Sequence, residues 1–579
     1  MDVIKTATKN PGKCIISIWI ISGLVLILSI FLWVGFPPIF KAIVHSQLKL
    51  SQADDGQLSK TSFLWSKPPI KNVMKFYIFN VSNIDDVTYF GAKPALVEVG
   101  PFAVWEIENK KEYSFNEDQT KVWYKNYKTY IYNREMSCDV CDYDAIVSIP
   151  NLPGLGAFQE LTNPKYKVSE FVQQLYSIGI MLLGEYSFVQ VKFGELVFDG
   201  YADALLSAAH SELVKDISLT FNIQYFNQST FIPIPVPDMK RLAFFYQYNN
   251  TNDEEYWIDS GKNDVNNLGK VLSWGNLTIL PESWYSTSQS RMINGSDSGT
   301  FQHPDMKESD RLQIFMSFLC RSLYMDFSHK VNIDGIPTFE FHSPPSVFDT
   351  TLEENIGMQY ENFERINYVP NWPNCIRNTT ADCTNFTIED CRIYENFCHP
   401  CCNGSFYNGT YLLPPGVFPV KCYPGHIKEP PFVVFISAPH YAYSPKELVD
   451  TVHGLSPKLP EHIPFIYNHE PTSGMVTKVL FQFQISAPLF RNPKFIITAN
   501  MANVLLPFLQ VTATGGLNSN AHNLVKSSFV TIPLVIFILK IVTLVLAFFI
   551  AFMAFAINYR KNSKSFKRLL GIRTANGSI

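Results

Sequence analysis

Charge of one sign is scarce in this chain. Its 579 residues carry 47 Lys and Arg against 51 Asp and Glu, a formal net charge of −4, so no basic excess is present to hold nucleic acid. Internal repeats and long low-complexity segments are missing too, which argues against solenoid and fibrous architectures. No phosphate loop, nucleophile elbow or spaced set of metal ligands stands out, so the sequence assigns no catalytic residue, no metal and no cofactor. The most telling shortage is local. No charged residue occurs between Lys13 and Lys41, and only Lys540 interrupts the apolar stretch from Phe529 to Tyr559.

Both stretches are long enough to cross a bilayer. The first reads as an uncleaved signal anchor, because Pro37-Pro38 stands where a cleavage site would need small residues. Lys5, Lys9 and Lys13 precede it, and Arg560, Lys561, Lys564, Lys567, Arg568 and Arg573 follow the second run. The positive-inside rule then puts both ends in the cytosol. The expected layout is a cytosolic tail (1–13), a transmembrane helix (14–36), a lumenal or extracellular ectodomain (37–528), a second transmembrane region (529–558) and a basic cytosolic tail (559–579). Lys540 reads as a snorkelling residue near the outer end, since 19 uncharged residues follow it; an intramembrane partner is the rival reading. Cys14, at the cytosolic boundary, suits palmitoylation or a buried thiol equally well.

The ectodomain carries what a secretory compartment adds. Glycosylation sequons fall at Asn80, Asn227, Asn249, Asn276, Asn294, Asn378, Asn385, Asn403 and Asn408, whereas Asn576 sits on the cytosolic tail and is expected to be silent. Ten of the eleven cysteines lie in the same region, an even number that suits disulfides. Besides Cys138, Cys141, Cys320 and Cys422, the segment 375–402 holds Cys375, Cys383, Cys391, Cys398, Cys401 and Cys402. His399 raises a zinc alternative there, which an oxidising compartment disfavours.

Short aromatic and β-branched runs such as "KFYIFNV", "ALVEVGPFAVWEI", "KVWYKNYKTYIY", "GIPTFEFH", "PPFVVFIS" and "KVLFQFQIS" predict an antiparallel sheet or barrel. Helical spacing in "SEFVQQLYSIGIMLLG", capped by Ser169, and in "GYADALLSAAHSELVKD" predicts a helical cluster over about 160–216. The run "ESDRLQIFMSFLCRSLYMDF" predicts a further helix. The fold class is thus two transmembrane helices around a large α+β ectodomain.

Several segments, in order, resemble the class B scavenger receptor family, relatives of the fatty acid translocase and the lysosomal integral membrane protein type two. They are "KFYIFNVSN" with "GAKPALVEVGPFAVWE" and its Gly-Pro-aromatic turn; "LAFFYQYNNT", "LSWGNLTIL", "RMINGSDSGTF", "FLCRSLYMDF" and "GIPTFEFH"; then "PPG", "ISAPHYAYSP" and "GLSPKLPEHIPFIYNHEPTSG". The series covers about residues 70–485. The resemblance implies an antiparallel β-barrel-like core with a hydrophobic tunnel and a helical apical cap. It implies a glycoprotein receptor, not an enzyme, that binds lipids (fatty acid, sterol or phospholipid) or lipoprotein and passes lipid toward the bilayer. The alternative is an endosomal or lysosomal trafficking receptor whose cap escorts a lumenal protein.

Residue by residue, the resemblance implies a Cys320–Cys422 disulfide, while Ser290 replaces a cysteine that some members carry. It places Phe171, Leu175, Met181, Leu182, Leu183 and Glu185 at the cap as a docking face or a buried helix side. Lysines that attract anionic ligands in some members are missing there, Lys192 being the nearest base. His440, and His462 with Glu470, match family positions and read as structural hydrogen-bonding groups, with His462 a site where endosomal acidity could act. A ligand-gated channel fits poorly, since the second span offers only Thr531 and Thr543 besides Lys540. Leu569-Leu570 lacks an acidic residue four positions earlier, at Ser565, and Tyr559 begins no sorting motif, which leaves plasma membrane and endolysosome both open. The stretch "RMINGSDSGTF" reads as a glycan acceptor with turn glycines, in which Asp297 lacks the partners a cation site needs.

Overall fold

A computed structural model describes residues 11–163, 168–209, 239–360, 362, 366–370, 372, 384, 413–430 and 432–569. Asn227, Asn378, Asn385, Asn403, Asn408 and Asn576, the cysteines from Cys375 to Cys402 with His399, and Leu570 lie outside the described residues, as does the side chain of Cys14. Two units divide the chain, one holding 1–48 with 520–579 and the short stretch 334–336, the other holding the rest.

The first unit contains two helices long and apolar enough to cross a bilayer, within Ile15–Leu48 and Ser519–Arg560. The first helix does not stop at position 36. It passes through a widened π turn at Phe31–Gly35 and continues as Phe36–Leu48. Pro37 and Pro38 carry no amide hydrogen, so carbonyls one turn earlier lose their usual donors, and the widened turn absorbs that defect. Ser22 Oγ donates to the Ala547 carbonyl at 3.0 Å, joining the two helices. Lys540 Nζ sits 5.2 Å from the centre of the Trp33 ring, a cation–π contact that shields its charge.

Among the described residues, the second unit is built on eighteen strands. In chain order they are β1 (Ile70–Val81), β2 (Leu96–Phe115), β3 (Lys121–Tyr132), β4 (Ile146–Pro150), β5 (Phe188–Lys192), β6 (Tyr201–Ala202), β7 (Arg241–Leu242), β8 (Thr251–Asp259) and β9 (Val271–Trp274). There follow β10 (Ser296–Asp297), β11 (Arg311–Met316), β12 (Arg321–Ile333), β13 (Ile336–His342), β14 (Val417–Pro419), β15 (Phe435–Ser437), β16 (Phe465–Glu470), β17 (Met475–Leu489) and β18 (Val504–Leu517). Fourteen form one sheet, ordered β10-β11-β12-β13-β16-β17-β18-β1-β2-β3-β8-β9, with β14 and β15 attached through β17. The two ends of this path meet. Ser296 of β10 bridges Lys270 just ahead of β9, and Val271 N–H donates to the Gly295 carbonyl at 2.9 Å. The sheet therefore curls into a nearly closed barrel, which removes its edges.

Alternation explains the barrel interior. Along β3, Val122, Tyr124, Asn126 and Tyr130 point inward and are buried, the period-2 pattern of a strand with one wet face. The segment "VEVGPFAVWE" is one continuous strand rather than a turn, with a register shift between Phe76 and Ile78 of the partner β1. Gly100 is needed there, because a Cβ would lie 2.5 Å from the Tyr77 ring.

The helix expected over Glu308–Phe327 is absent. Those residues form β11, a short 3-10 turn at Ser317–Leu319, and β12, paired antiparallel. Leu312, Ile314 and Met316, then Leu323 and Met325, are buried at alternate positions. The same residues also satisfy helical spacing, and pairing with neighbouring strands decides the outcome. The segment "PPFVVFIS" contributes only the three residues of β15.

The cap holds helices Leu152–Thr162, Glu170–Leu182 and Ala204–Ala209, with the hairpin β4–β5 and the pair β6–β7 set among them. It starts earlier than position 160 and is not purely helical. Ser169 caps the second helix by accepting from Val172 N–H.

Candidate functional site

Inside the barrel lies a cavity of about 480 Å³. Ile70, Met74, Trp105, Met316, Phe318 and Phe481 give it an apolar wall. Glu106, Glu108 and Lys128 line its other side. A smaller cavity of about 40 Å³, lined by Phe318, Leu196, Phe244, Phe432, Phe483 and Ile485, lies across the Phe318 ring. Phe318 belongs to both linings. Its ring centre sits 5.8 Å from Phe245, 6.0 Å from Phe481 and 5.4 Å from Phe483. Phe318, with Phe481 on the larger side and Phe483 on the smaller, thus stands between the two spaces. The disulfide Cys320–Cys422, with Cα atoms 6.1 Å apart, begins two residues after Phe318, and Cys422 itself lines the smaller space.

The polar side of the larger cavity backs onto a buried charge cluster. Lys110, 1% exposed, lies 2.5 Å from Glu108 and near the Trp65 and Tyr124 rings. Lys128 reaches Asp253 at 3.2 Å and Glu106 at 3.9 Å. Tyr124 Oη donates to Asp297 at 2.6 Å. Four carboxyls, those of Glu106, Glu108, Asp253 and Asp297, thus face two ammonium groups. Burial, with Glu108 and Asp253 adding, raises the Glu106 carboxyl against the pull of Lys128. Burial likewise lifts Asp253 to about 6, opposed by Lys128. The Asn126 Oδ1 and Asp253 Oδ1 atoms are buried without a hydrogen-bond partner, so the cluster holds acceptor capacity in surplus.

A profile of the CD36 family matches residues 20–558 of the chain. This chain belongs to the CD36 family. It is similar to an uncharacterized protein of Caenorhabditis elegans, 38% identical over 90% of this chain and 93% of that one. Lysosome membrane protein 2 of Rattus norvegicus is 26% identical over 80% of this chain and 78% of its own. Scavenger receptor class B member 1 of Sus scrofa is 24% identical over 91% and 86%. With its two apolar helices, the chain is a membrane receptor of the CD36 family.

The cap helix Glu170–Leu182 buries polar side chains and exposes apolar ones. Gln173, Ser177 and Ile180 face inward, whereas Phe171 (66% exposed), Leu175 (55%) and Leu182 (78%) face solvent, along with Met181 and Leu183. The expected acidic member of this face departs from it. Glu185 is buried and accepts from Asn151 Nδ2 and from Leu205 N–H, donors that a carboxyl taken from water needs.

The CD36-family stretch "RMINGSDSGTF" is the closing seam of the barrel. Gly295 adopts φ +88, and a Cβ there would lie 2.2 Å from the Gln313 backbone. Asp297 turns inward to Tyr124. Ser290 is buried and accepts from Thr287 Oγ1 at 3.1 Å. Cys138 and Cys141, which matched no family position, are bonded to each other. Among the described sequons, Asn249 and Asn276 are exposed while Asn80 and Asn294 are half-buried; Asn249 also bonds both backbone groups of Tyr130.

His440 lies 3.3 Å from Glu98 and stacks on His462 with ring centres 4.4 Å apart. Burial and the neighbouring His440 push His462 down to about 4, so it stays neutral through mild acidification. Glu470 is a turn-holder, accepting from Thr472 N–H, Ser473 N–H and Ser473 Oγ. The interior charges escaped the sequence reading. Their one signal was ionisable residues at alternate positions of "WEIENKK", which a solvated strand face would show equally.

Proposed function

We propose that this protein is a lipid receptor that holds a lipid in the barrel cavity and passes it on toward the bilayer. The observation that carries this reading is the roughly 480 Å³ interior cavity with its aromatic partition. Its apolar wall suits an acyl or sterol group, and its polar side offers partners to a headgroup. Phe318 is the obvious gate between the two spaces. The surplus of carboxyls at the polar end disfavours a free fatty acid carboxylate and favours lipids that present hydroxyl or amine donors. Both termini are cytosolic in this reading, and the ectodomain is extracellular or endolysosomal.

Mass spectrometry of lipids extracted from the purified glycosylated protein tests it. Stoichiometric lipid is expected, dominated by hydroxyl- or amine-bearing species. Ala513→Trp, which fills the cavity, is expected to lower the amount severalfold. A protein that purifies empty would sink the lipid reading, and free fatty acid as the main species would sink the charge argument alone.

The exposed apolar side of the cap helix favours a second reading. An exposed apolar stripe on a helix is costly unless something covers it, and a lumenal protein carried as cargo would do so. Phe171→Glu with Leu182→Glu would then leave folding intact and abolish capture of that cargo.

A further inference from the structure

The strands β12 and β13 are consecutive and joined at Asp334-Gly335, where both residues take positive φ (51 and 89) as a two-residue hairpin requires. Glu340 and His342 are two apart on β13 and so share a face. His329 reaches the same carboxylate from β12. His342 Nε2 lies 2.7 Å and His329 Nε2 3.8 Å from Glu340 Oε1. One ligand atom from each residue falls within 4.8 Å of the others. The two imidazole rings stand 6.1 Å apart at 84°.

Outer partners hold these groups in place. Asn468, from β16 beside β13, donates Nδ2–H to Glu340 Oε2 at 2.9 Å, which leaves Oε1 turned to the histidines. Ser328 Oγ lies 3.1 Å from His329 Nδ1, so the far ring nitrogen is engaged and Nε2 faces inward. Partial burial would raise the Glu340 carboxyl, but hydrogen bonds from Asn468 and His342 outweigh it and keep it below the ordinary range.

We propose that His329, Glu340 and His342 form a binding site for a divalent transition metal of the zinc class, coordinated by the two Nε2 atoms and Glu340 Oε1. Two imidazoles and one carboxylate are a borderline donor set that suits zinc, whereas calcium and magnesium want a larger set of oxygens. A tetrahedral zinc with bonds near 2.0–2.1 Å sets its ligand atoms about 3.3 Å apart, and 2.7 and 3.8 Å bracket that separation. Small side-chain shifts bring all three into range. His329 is 55% exposed, which gives an ion access and leaves a fourth position for water or an incoming donor. Bound metal would cross-link β12 to β13. A residual ion pair of a protonated histidine with Glu340 is the competing account, and it needs no metal.

The full chain, purified in detergent and stripped with chelator, is titrated with Co²⁺ followed by Zn²⁺. Expected is one equivalent that gives the visible absorption of tetrahedral Co²⁺, is displaced by Zn²⁺, and is absent in His329→Ala and His342→Ala. His329 is exposed, so its variant keeps the fold and separates lost binding from lost structure. Asn468→Ala, which removes only the outer support, is expected to weaken Zn²⁺ about 10–100-fold. Metal sites elsewhere in the chain cancel in the comparison with the parent protein. Equal stoichiometry and an unchanged Co²⁺ spectrum in both histidine variants would overturn the site, as would no uptake by the parent.

Discussion

Two sets of buried titratable residues pull the protein's stability in opposite directions with pH. His469 is fully buried, its Nδ1 against the Gly474 carbonyl and its Nε2 unpartnered, and burial pushes it down to about 4. An unfolded chain takes its proton near 6.5. The stability this residue contributes is therefore whole above pH 6.5 and is lost as pH falls toward 4. Between pH 7 and 5 that loss is about 2 kcal/mol. Asp203 and Asp253 run the other way. Burial raises both to about 6, so they contribute stability in acid that fades as pH rises through that value. His469→Gln is expected to shrink the fall in melting temperature from pH 7 to pH 5, and an unchanged fall would refute the assignment. Little at this scale was legible in sequence. His462 stood out and stays neutral, whereas His469, seven residues on, drew no notice. The apolar cap residues were visible, but that Glu185 is buried beside them depends on Asn151, 34 positions away.

Single elements were easier to read, since alternation and turn residues are local. β3 begins and ends where "KVWYKNYKTYIY" does, and Ser169 caps its helix as its residue type suggests. The stretch around Cys320 misled because its apolar residues fit both periods, and only the partners of β11 and β12 break the tie. The seam motif was legible as a turn but not as a junction, for the junction exists only once β9 and β10 meet. Gly295 is its tightest point. Gly295→Ala adds αL strain of about 1–2 kcal/mol and forces the chain off the Gln313 backbone at about 1–3 kcal/mol. A loss of several °C in melting temperature, with faster amide exchange in β10, is expected. An unaltered melt would mean the bridge to Lys270 does not hold the barrel shut.

Across the whole molecule, the longest-range constraint is covalent. Cys320 and Cys422 are 102 residues apart, and closing so long a loop stabilises a fold by roughly 4–5 kcal/mol on loop-closure grounds. Cys320→Ser with Cys422→Ser is expected to lower the melting temperature and to loosen the turn that carries Phe318, which under the proposed lipid function is detected as lipid lost during purification. A double variant that melts and retains lipid like the parent would contradict both effects. Two membrane-length helices and a β-rich region between them could be read from the sequence directly; the barrel was expected chiefly through the family resemblance, and the strand order could not be read, because nothing local encodes which strand lies beside which. One pairing has a consequence for how the protein is made. β18 lies between β1 and β17, and Ile70 pairs with Leu517. During synthesis β1 must wait, one edge bare, while more than four hundred residues emerge. The last of the described strands to appear is the one that joins both halves, and it arrives just before the second apolar helix. Retention by chaperones through that interval, and degradation of chains cut short before β18, would belong to the life of this protein.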